Sequence, residues 1–458
     1  MEQTLYAVRQ KIYPRAVTGI FAKLRLSAVL FTQALFYGLC WLPWDGRQAV
    51  LFDLAARKFY IFGLVFYPQD FIYLTSLLVI AALALFLFTA VAGRLWCGYA
   101  CPQTVYTELF LWIERKIEGD SLKRMKLDKE SFGLHKLGLK AAKHGAWITV
   151  AFWTGFTFVG YFTPIKTLVH EFLNFNAGPW ETFWVCFYGF ATYGNAGWMR
   201  EQVCKYMCPY ARFQSVMFDP DTLVITYDTA RGEPRGPRSK SLDYKKAGLG
   251  DCVDCSICVQ VCPTGIDIRE GLQYECIGCA ACVDGCDHVM EQMGYPKGLI
   301  RYSTENAILG KYPDKSIQSH IFRPRIFIYG FILLAVISAV GASLVLRVPV
   351  QLDVMRDRNA LARETNEGLV ENVYRLQLIN MEDKPHVFEV SASGIEDLKL
   401  ITESNPVSLG PLESRVISVR LQVEPDEVKS RTTPVIFHIH AIDNPKLGRD
   451  QKSSFLTR

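Results

Sequence analysis

No Walker-type phosphate loop and no Gly-rich strand–turn–helix fingerprint occurs in the chain, so nothing points to a bound nucleotide. No CxxCH is present, which removes covalently attached haem. Charge is scarce: charged residues make up 21% of 458, and Lys+Arg outnumber Asp+Glu by only 50 to 45. A net +5 is too small to recruit nucleic acid. The chain also lacks the pattern of a cleaved leader. Its first apolar run starts late, after a mixed basic stretch, and no small-x-small site follows near 41–44; a start-transfer helix is expected instead. Fourteen Cys in 458 residues is no disulfide-scaffold density, and 347–458 holds none.

Apolar residues are abundant. They make up 50% of the chain, aromatics 13%, and the mean hydropathy is +0.12. A membrane span needs about 20 mostly apolar residues. Five runs approach that: 26–44, 71–92, 146–165, 181–199 and 326–346. The second and fifth carry no charge, whereas Asn195 and several Gly interrupt the fourth. A buried hairpin of core helices is the alternative for the third and fourth. The short run 59–67 ends at Pro68 and suggests an interfacial or re-entrant piece. Lys and Arg crowd 1–25 and 93–145 and thin out in 45–70 and 166–180. The positive-inside rule then predicts a cytoplasmic N-terminus, five crossings and an external C-terminus. Trp41, Trp44, Trp180 and Trp198 suit an aromatic belt.

The expected fold is therefore a polytopic α-helical membrane protein with soluble additions. A cytoplasmic segment, 1–25, precedes a four-span domain, 26–199, whose basic loop 93–145 reads partly as amphipathic helix on the lipid surface. A cytoplasmic region, 200–325, follows, containing a Pro/Gly/Arg-rich connector at 231–240 that reads as exposed. The fifth span, 326–346, leads to 347–458. There, alternating β-branched segments at 372–380, 386–391, 414–423 and 434–443 indicate an immunoglobulin-like β-sandwich. His438 and His440 share one face of a strand. Solvent-facing histidines are preferred there to a copper site, since a third ligand is missing.

The cysteines carry the chemistry. The chain reads CVDCSICVQVC from 252 and CIGCAACVDGC from 276, each a CxxCxxCxxxC. Thiolates spaced this way wrap three corners of a 4Fe–4S cube, and the fourth Cys serves the neighbouring cube. Cys252, Cys255, Cys258 and Cys286 are thus grouped on one cluster, and Cys276, Cys279, Cys282 and Cys262 on the second. Zinc knuckles instead space paired CxxC arms by a longer loop. The run ending at Cys286 is followed by Asp287, where Pro263 follows Cys262. Paired clusters serve electron transfer. With no nucleotide site, the electron donor must be another protein or a membrane quinol.

A second pattern, CxxxCP, occurs twice: Cys97 and Cys101 before Pro102, and Cys204 and Cys208 before Pro209. On a helix each pair shares a face. Each follows a span that runs inward, so both are expected at the same membrane boundary. Four soft thiols brought together there could bind Cu(I), hold a further iron–sulfur centre, or cycle as dithiols. Cys40 and Cys186 lie alone in apolar runs and read as packing residues. His170 and Glu171 read as ordinary residues of an outer loop.

WCGYACPQ (96–103), CKYMCPYARFQ (204–214), the tandem ferredoxin-type runs, the five spans and the β-rich C-terminus together resemble the FixG/RdxA/CcoG family of cytochrome c oxidase accessory proteins. The resemblance covers the whole chain. It implies a bacterial inner-membrane protein with a periplasmic C-terminal domain, needed to assemble the cbb-type haem–copper oxidase. It further implies an oxidoreductase that reduces Cu(II) to Cu(I), partnered by oxidase subunits or copper-delivery proteins. Cys97, Cys101, Cys204 and Cys208 are then the candidate copper-handling thiols.

Overall fold

The computed structural model describes residues 11–240, 242–313, 316–357, 362–428 and 430–457. Its contacts separate into two compact units, Met1–Ile337 and Ser338–Arg458.

In the first unit, α1 (Ile20–Gly38) and α2 (Phe71–Ala92) flank a small antiparallel meander of Val50–Asp53, Lys58–Ile61 and Leu64–Phe66. The short apolar run 59–67 is therefore strand rather than a re-entrant piece. After α2 come α3 (Leu95–Tyr99), α4 (Pro102–Glu118), α5 (Ser121–Lys129), α6 (Leu134–Val159), α7 (Ile165–Leu173), α8 (Pro179–Thr192) and a π-helix, Tyr193–Met199.

Among the described residues, three helices are long and apolar enough to cross a membrane: Ile20–Trp41, Pro68–Ala92 and Pro324–Val345. That is fewer than the five runs suggested. The first half of α6 carries Lys136, Lys140 and Lys143, and α8 has 14 residues before Asn195 and its glycines take the π form. These two helices pack as a hairpin, and Gly155 is what lets them close: a side chain there would run into the Val185 carbonyl. The loop 93–145 is largely helical, and α4 packs part of its apolar face against α6. Phe110 and Ile113 pack with Trp147 and Ala151 of α6.

The last long helix, Pro324–Val345, leads into the second unit. Here β1 (Val350–Arg356), β2 (Val370–Asn380), β3 (His386–Ser393), β4 (Lys399–Thr402), β5 (Val407–Leu409), β6 (Ser414–Val423), β7 (Thr432–Ala441) and β8 (Gly448–Leu456) form two antiparallel sheets. Their orders are β4-β6-β2-β1, with Arg363–Glu364 added against β2, and β5-β3-β7-β8. Alternation places Ile417, Val419, Leu421 and Val423 of β6 against Val435, Phe437 and Ile439 of β7. Tyr374 and Phe437 meet edge-on with centroids 5.0 Å apart. His438 is tied to Asp450 at 2.7 Å and His440 to Glu389 at 3.2 Å, so both strand histidines are engaged by carboxylates.

Buried Asn372 stitches the two sheets: its amide donates to Leu456 O at 2.8 Å and accepts from Leu456 N at 2.9 Å. Asn372→Ala leaves that N–H and C=O unpaired. The expected cost is about 1–3 kcal/mol, read from denaturant unfolding of this domain. A loss within error would mean that water replaces the amide.

Candidate functional site

The two CxxCxxCxxxC runs fold alike. The third and fifth positions of each are left-handed: Asp254 (φ 52°) and Ser256 (φ 54°) in the first, Gly278 (φ 68°) and Ala280 (φ 56°) in the second. Such residues turn successive N–H groups to one side, forming a concavity that suits anionic sulfur. Each run then enters a helix, the single turn Ile257–Gln260 in the first case and α9 (Ala281–Met293) in the second. Three of these left-handed residues carry a side chain and are held there by their surroundings.

Cys252, Cys255, Cys258 and Cys286 line one apolar cavity, closed by Val289, Met290 and Ile300. Cys262, Cys276, Cys279 and Cys282 line a second, with Ile266, Ile268 and Ile277. The linings follow the two groups drawn from the spacing, with Cys286 and Cys262 exchanged between the runs, except that Cys258 lines the second cavity as well. Burial pushes the Cys258 and Cys276 thiols up to about 11 and those of Cys279 and Cys286 to about 12. Cations oppose that. Arg269, bonded to Asp254 at 2.6 Å, lines the first cavity and acts on Cys258. Arg25 donates to the Cys279 carbonyl, and Arg94 acts on Cys276. Four soft thiols, an apolar wall, inward amides and a nearby Arg fit a 4Fe–4S cluster at each cavity. A cluster so held supplies reversible one-electron transfer.

Both CxxxCP motifs break the helix rather than ride along it. Cys97 lies within α3, and Cys101 is extended at the N-cap of α4, with Pro102 as its first residue. Cys204 lies in a π-turn, Val203–Met207, and Cys208 is extended, with Pro209 opening a helix over Pro209–Met217. Proline fits a first helical position because its missing N–H would be unpaired there anyway. Cys101 and Cys208 thus sit at helix starts; burial raises the Cys101 thiol, and the backbone N–H groups of Gln103 and Thr104 oppose that.

The structure brings all four thiols together. Burial raises Cys97 to about 12, and the charges of Cys101, Cys204 and Cys208 add to it. Burial raises Cys204 to about 11, with Cys101 and Cys208 adding, while Arg94 opposes both. Among the described residues, no three His, Cys, Asp or Glu side chains close on one ion-sized point. The quartet is therefore a gathering of thiols rather than a finished ion cage.

The quartet abuts the second cavity. Cys97 and Cys204 pack on the cluster of side chains formed by Val261, Ile277, Cys279 and Ala281. A Cβ on Gly98 would stand 2.9 Å from Gly278 O and 3.0 Å from Cys279 Cα, so only glycine permits this contact. Gly98→Ala should push the loop away, costing about 1–3 kcal/mol. The expected signature is a changed electron-paramagnetic spectrum of the adjoining cluster with the other cluster unaltered. Two unaltered spectra would remove the contact from the site.

Several functional positions escaped the sequence reading. Arg94, buried, donates to Ala211 O and serves both the quartet and the second cavity. It was counted only as a positive flank, although it lies three residues before Cys97. Arg25 was counted the same way. Gln214, fully buried, accepts from Cys97 Sγ at 3.3 Å. Asp284, between two cluster cysteines, accepts from Phe21 N at 3.2 Å and Ala22 N at 2.7 Å. It caps α1 and docks this region on the first apolar helix.

Other expectations shift. The 231–240 connector is largely exposed as expected, yet it is tied down: Arg231 bonds Asp251 at 2.5 Å, and Arg238 bonds Tyr295 at 3.2 Å. Cys40 is buried as expected, but Cys186 is exposed on its helix. His170 and Glu171 lie in α7 rather than in a loop, His170 beside Asn174.

Comparison with known proteins agrees with this arrangement. A 4Fe–4S dicluster domain matches residues 199–305, a 4Fe–4S binding domain matches 74–119, and the IG-like fold at the C-terminus of FixG matches 340–458. Protein RdxA of Cereibacter sphaeroides is 39% identical over 409 residues, covering 87% of this chain and 86% of the relative. Nitrogen fixation protein FixG of Rhizobium meliloti is 37% identical over 455 residues, covering 93% and 86%. A crystal structure of a FixG-related protein from Vibrio parahaemolyticus covers 24% of this chain and 97% of its own at 23% identity, with a TM-score of 0.22. With relatives this similar along most of their length, the chain belongs to the FixG/RdxA family.

Proposed function

We propose that this protein is a membrane electron-transfer protein that reduces Cu(II) to Cu(I) for assembly of a cbb-type haem–copper oxidase. One observation carries the reading: Cys97 and Cys204 pack beside the Cys279 loop of the second cluster cavity, with Cys101 and Cys208 near enough to raise both thiols. Soft thiolates favour Cu(I) over Cu(II), so a copper ion held there is easier to reduce. The substrate ion gains one electron, Cu(II) + e⁻ → Cu(I), and the thiols hold the product. Because the quartet is not closed on a point, the thiols must draw in around copper, two or three at a time.

In this reading the protein lies in the bacterial inner membrane and crosses it five times, with the α6/α8 hairpin supplying the third and fourth crossings. The Lys/Arg distribution supports a cytoplasmic N-terminus and iron–sulfur region, and a periplasmic β-sandwich. That sandwich would meet oxidase subunits or copper-delivery proteins.

The test is anaerobic mixing of chemically reduced protein with Cu(II) beside a Cu(I)-selective chelator. One Cu(I) is expected for each electron lost from the iron–sulfur absorbance. Absorbance that stays reduced in excess Cu(II) would discard the reductase and leave a conduit to another acceptor, or an assembly scaffold.

A further inference from the structure

A roomy cavity in the first unit lies apart from the iron–sulfur site. It encloses about 460 Å³, within the range of small-molecule sites. Its walls come from α4, α6 and the π-helix, a helical distortion often found at functional sites. Aromatic rings form one side: Trp147, Trp198 and His144, with His144 stacked on Trp198 at 5.8 Å. Gly197 keeps the slot open, since a Cβ there would stand 3.1 Å from the Trp147 ring.

The other side is polar yet balanced: Lys11, Lys140, Lys143 and Arg200 face Glu114, Asp128 and Glu201. Most of these charges are spent on one another. Arg200 meets Glu114 at 2.8 Å, and Lys140 meets Asp128 at 2.6 Å. Such a wall does not select a free anion; it suits a neutral ring with hydroxyl groups. Trp198, 55% exposed at the rim, is one of the aromatics the sequence assigns to a membrane-interface belt, and a mouth at headgroup depth is what that assignment implies. A smaller cavity shares Arg200 and Glu201 with this one and is lined on its far side by Cys204 and Cys279. The slot thus adjoins both the thiol quartet and the second cluster cavity.

We propose that this cavity binds the headgroup of a membrane quinol and is where electrons enter the protein. This rests on the iron–sulfur part of the preceding reading but not on copper. The ring lies against His144 and Trp198. The step balances as QH₂ → Q + 2 H⁺ + 2 e⁻. Both quinol O–H bonds break and the ring becomes the quinone. The two electrons would be taken up singly by the iron–sulfur centres that the eight thiols would hold. One proton goes to His144 Nε2. Its Nδ1 is paired with the Tyr193 hydroxyl at 2.9 Å; with Nδ1 as donor, Nε2 is the acceptor. Burial and Lys143 hold this imidazole below its usual value, so it starts neutral. The second proton leaves to water at the rim beside Lys11 and Asp128.

The experiment uses full-length protein in lipid nanodiscs and an azidobenzoquinone photolabel. Label is expected on peptides bearing His144–Trp147 and Gly197–Arg200, displaced by excess decyl-ubiquinone. His144→Leu and Trp198→Ala should each weaken displacement by about tenfold or more. Decyl-ubiquinol should bleach the iron–sulfur absorbance of the wild type and not of His144→Leu. Competition in the wild type needs no variant to fold. Label spread over the lipid-facing helices and not displaced would overturn the proposal, as would displacement unchanged in both variants. Copper reduction by dithionite-reduced protein is scored separately, so failure of either idea leaves the other readable.

Discussion

Serine at Cys97, Cys101, Cys204 and Cys208 together should lower Cu(I) production by the reduced protein at least about 100-fold, the upper end of losses seen when only outer-shell partners of a metal site are removed. Hydroxyl oxygen is hard and stays protonated, so the preference for Cu(I) disappears with the sulfurs. The eight thiols of the two cavities are untouched, and the iron–sulfur absorbance should survive. Paired variants divide the effect. Cys97 and Cys204 pack directly on the Ile277–Cys279 side of the second cavity. Cys101 and Cys208 stand at helix starts, where backbone N–H groups at Gln103 and Thr104 draw the Cys101 thiol back down against burial. Cys101→Ser with Cys208→Ser should therefore weaken copper capture most. Cys97→Ser with Cys204→Ser should slow electron delivery at saturating copper. If the fourfold variant keeps the wild-type rate, copper takes electrons from another exposed point and the quartet is structural.

The split between what was legible and what was not follows from how far each signal reaches along the chain. The grouping of Cys252, Cys255, Cys258 and Cys286 against Cys262, Cys276, Cys279 and Cys282 was legible, because three ligands of each cavity lie within one short loop and the fourth follows from the repeat. The sandwich was legible through β6, whose alternation spans 414–423 as predicted. Its short partners, Lys399–Thr402 and Val407–Leu409, were not, since three or four residues carry too little periodicity. Of the five apolar runs, three form helices long and apolar enough to cross by themselves; α6 and α8 fall short of that measure, because lysines occupy the first half of α6 and α8 has only 14 residues. Arg25 and Arg94 read as flanking positive charge, and Asp284 as a plain spacer inside the second cysteine run. Their partners lie more than a hundred residues away, and nothing local marks a charge that will be buried.

Glu114 is another charge whose burial nothing local marks, and its pairing has the largest consequence. Its side chain is 1% exposed and meets Arg200 Nη2 at 2.8 Å, Arg124 Nη1 at 2.9 Å and Lys143 Nζ at 3.7 Å. Burial pushes its carboxyl up, but Arg200 first, then Lys143 and Arg124, outweigh that and hold it below the usual carboxylate range. A depressed folded value means that the contribution to stability is complete above the unfolded value of about 4.3 and fades as pH falls through the folded one. Glu114→Gln leaves three cations facing an amide in a protein-lined space. Lys143 keeps Glu118 at 3.0 Å, but Arg200 and Arg124 stay desolvated with no carboxylate, and breaking a buried pair by removing one partner costs about 3–5 kcal/mol. The exposed end of the same region sets the contrast. Lys11, 45% exposed, pairs with Asp128 at 2.5 Å, and Lys11→Ala should cost about 1 kcal/mol or less. Thermal unfolding in detergent at neutral pH should separate the two variants clearly. Adding Arg124→Met to Glu114→Gln should recover part of the loss, since one stranded cation is then gone. Equal melting of Glu114→Gln and wild type would mean that water enters this network and solvates the cations. The charges on α4 and α6 would then be a wetted vestibule rather than the brace that joins the hairpin to the thiol-bearing helices.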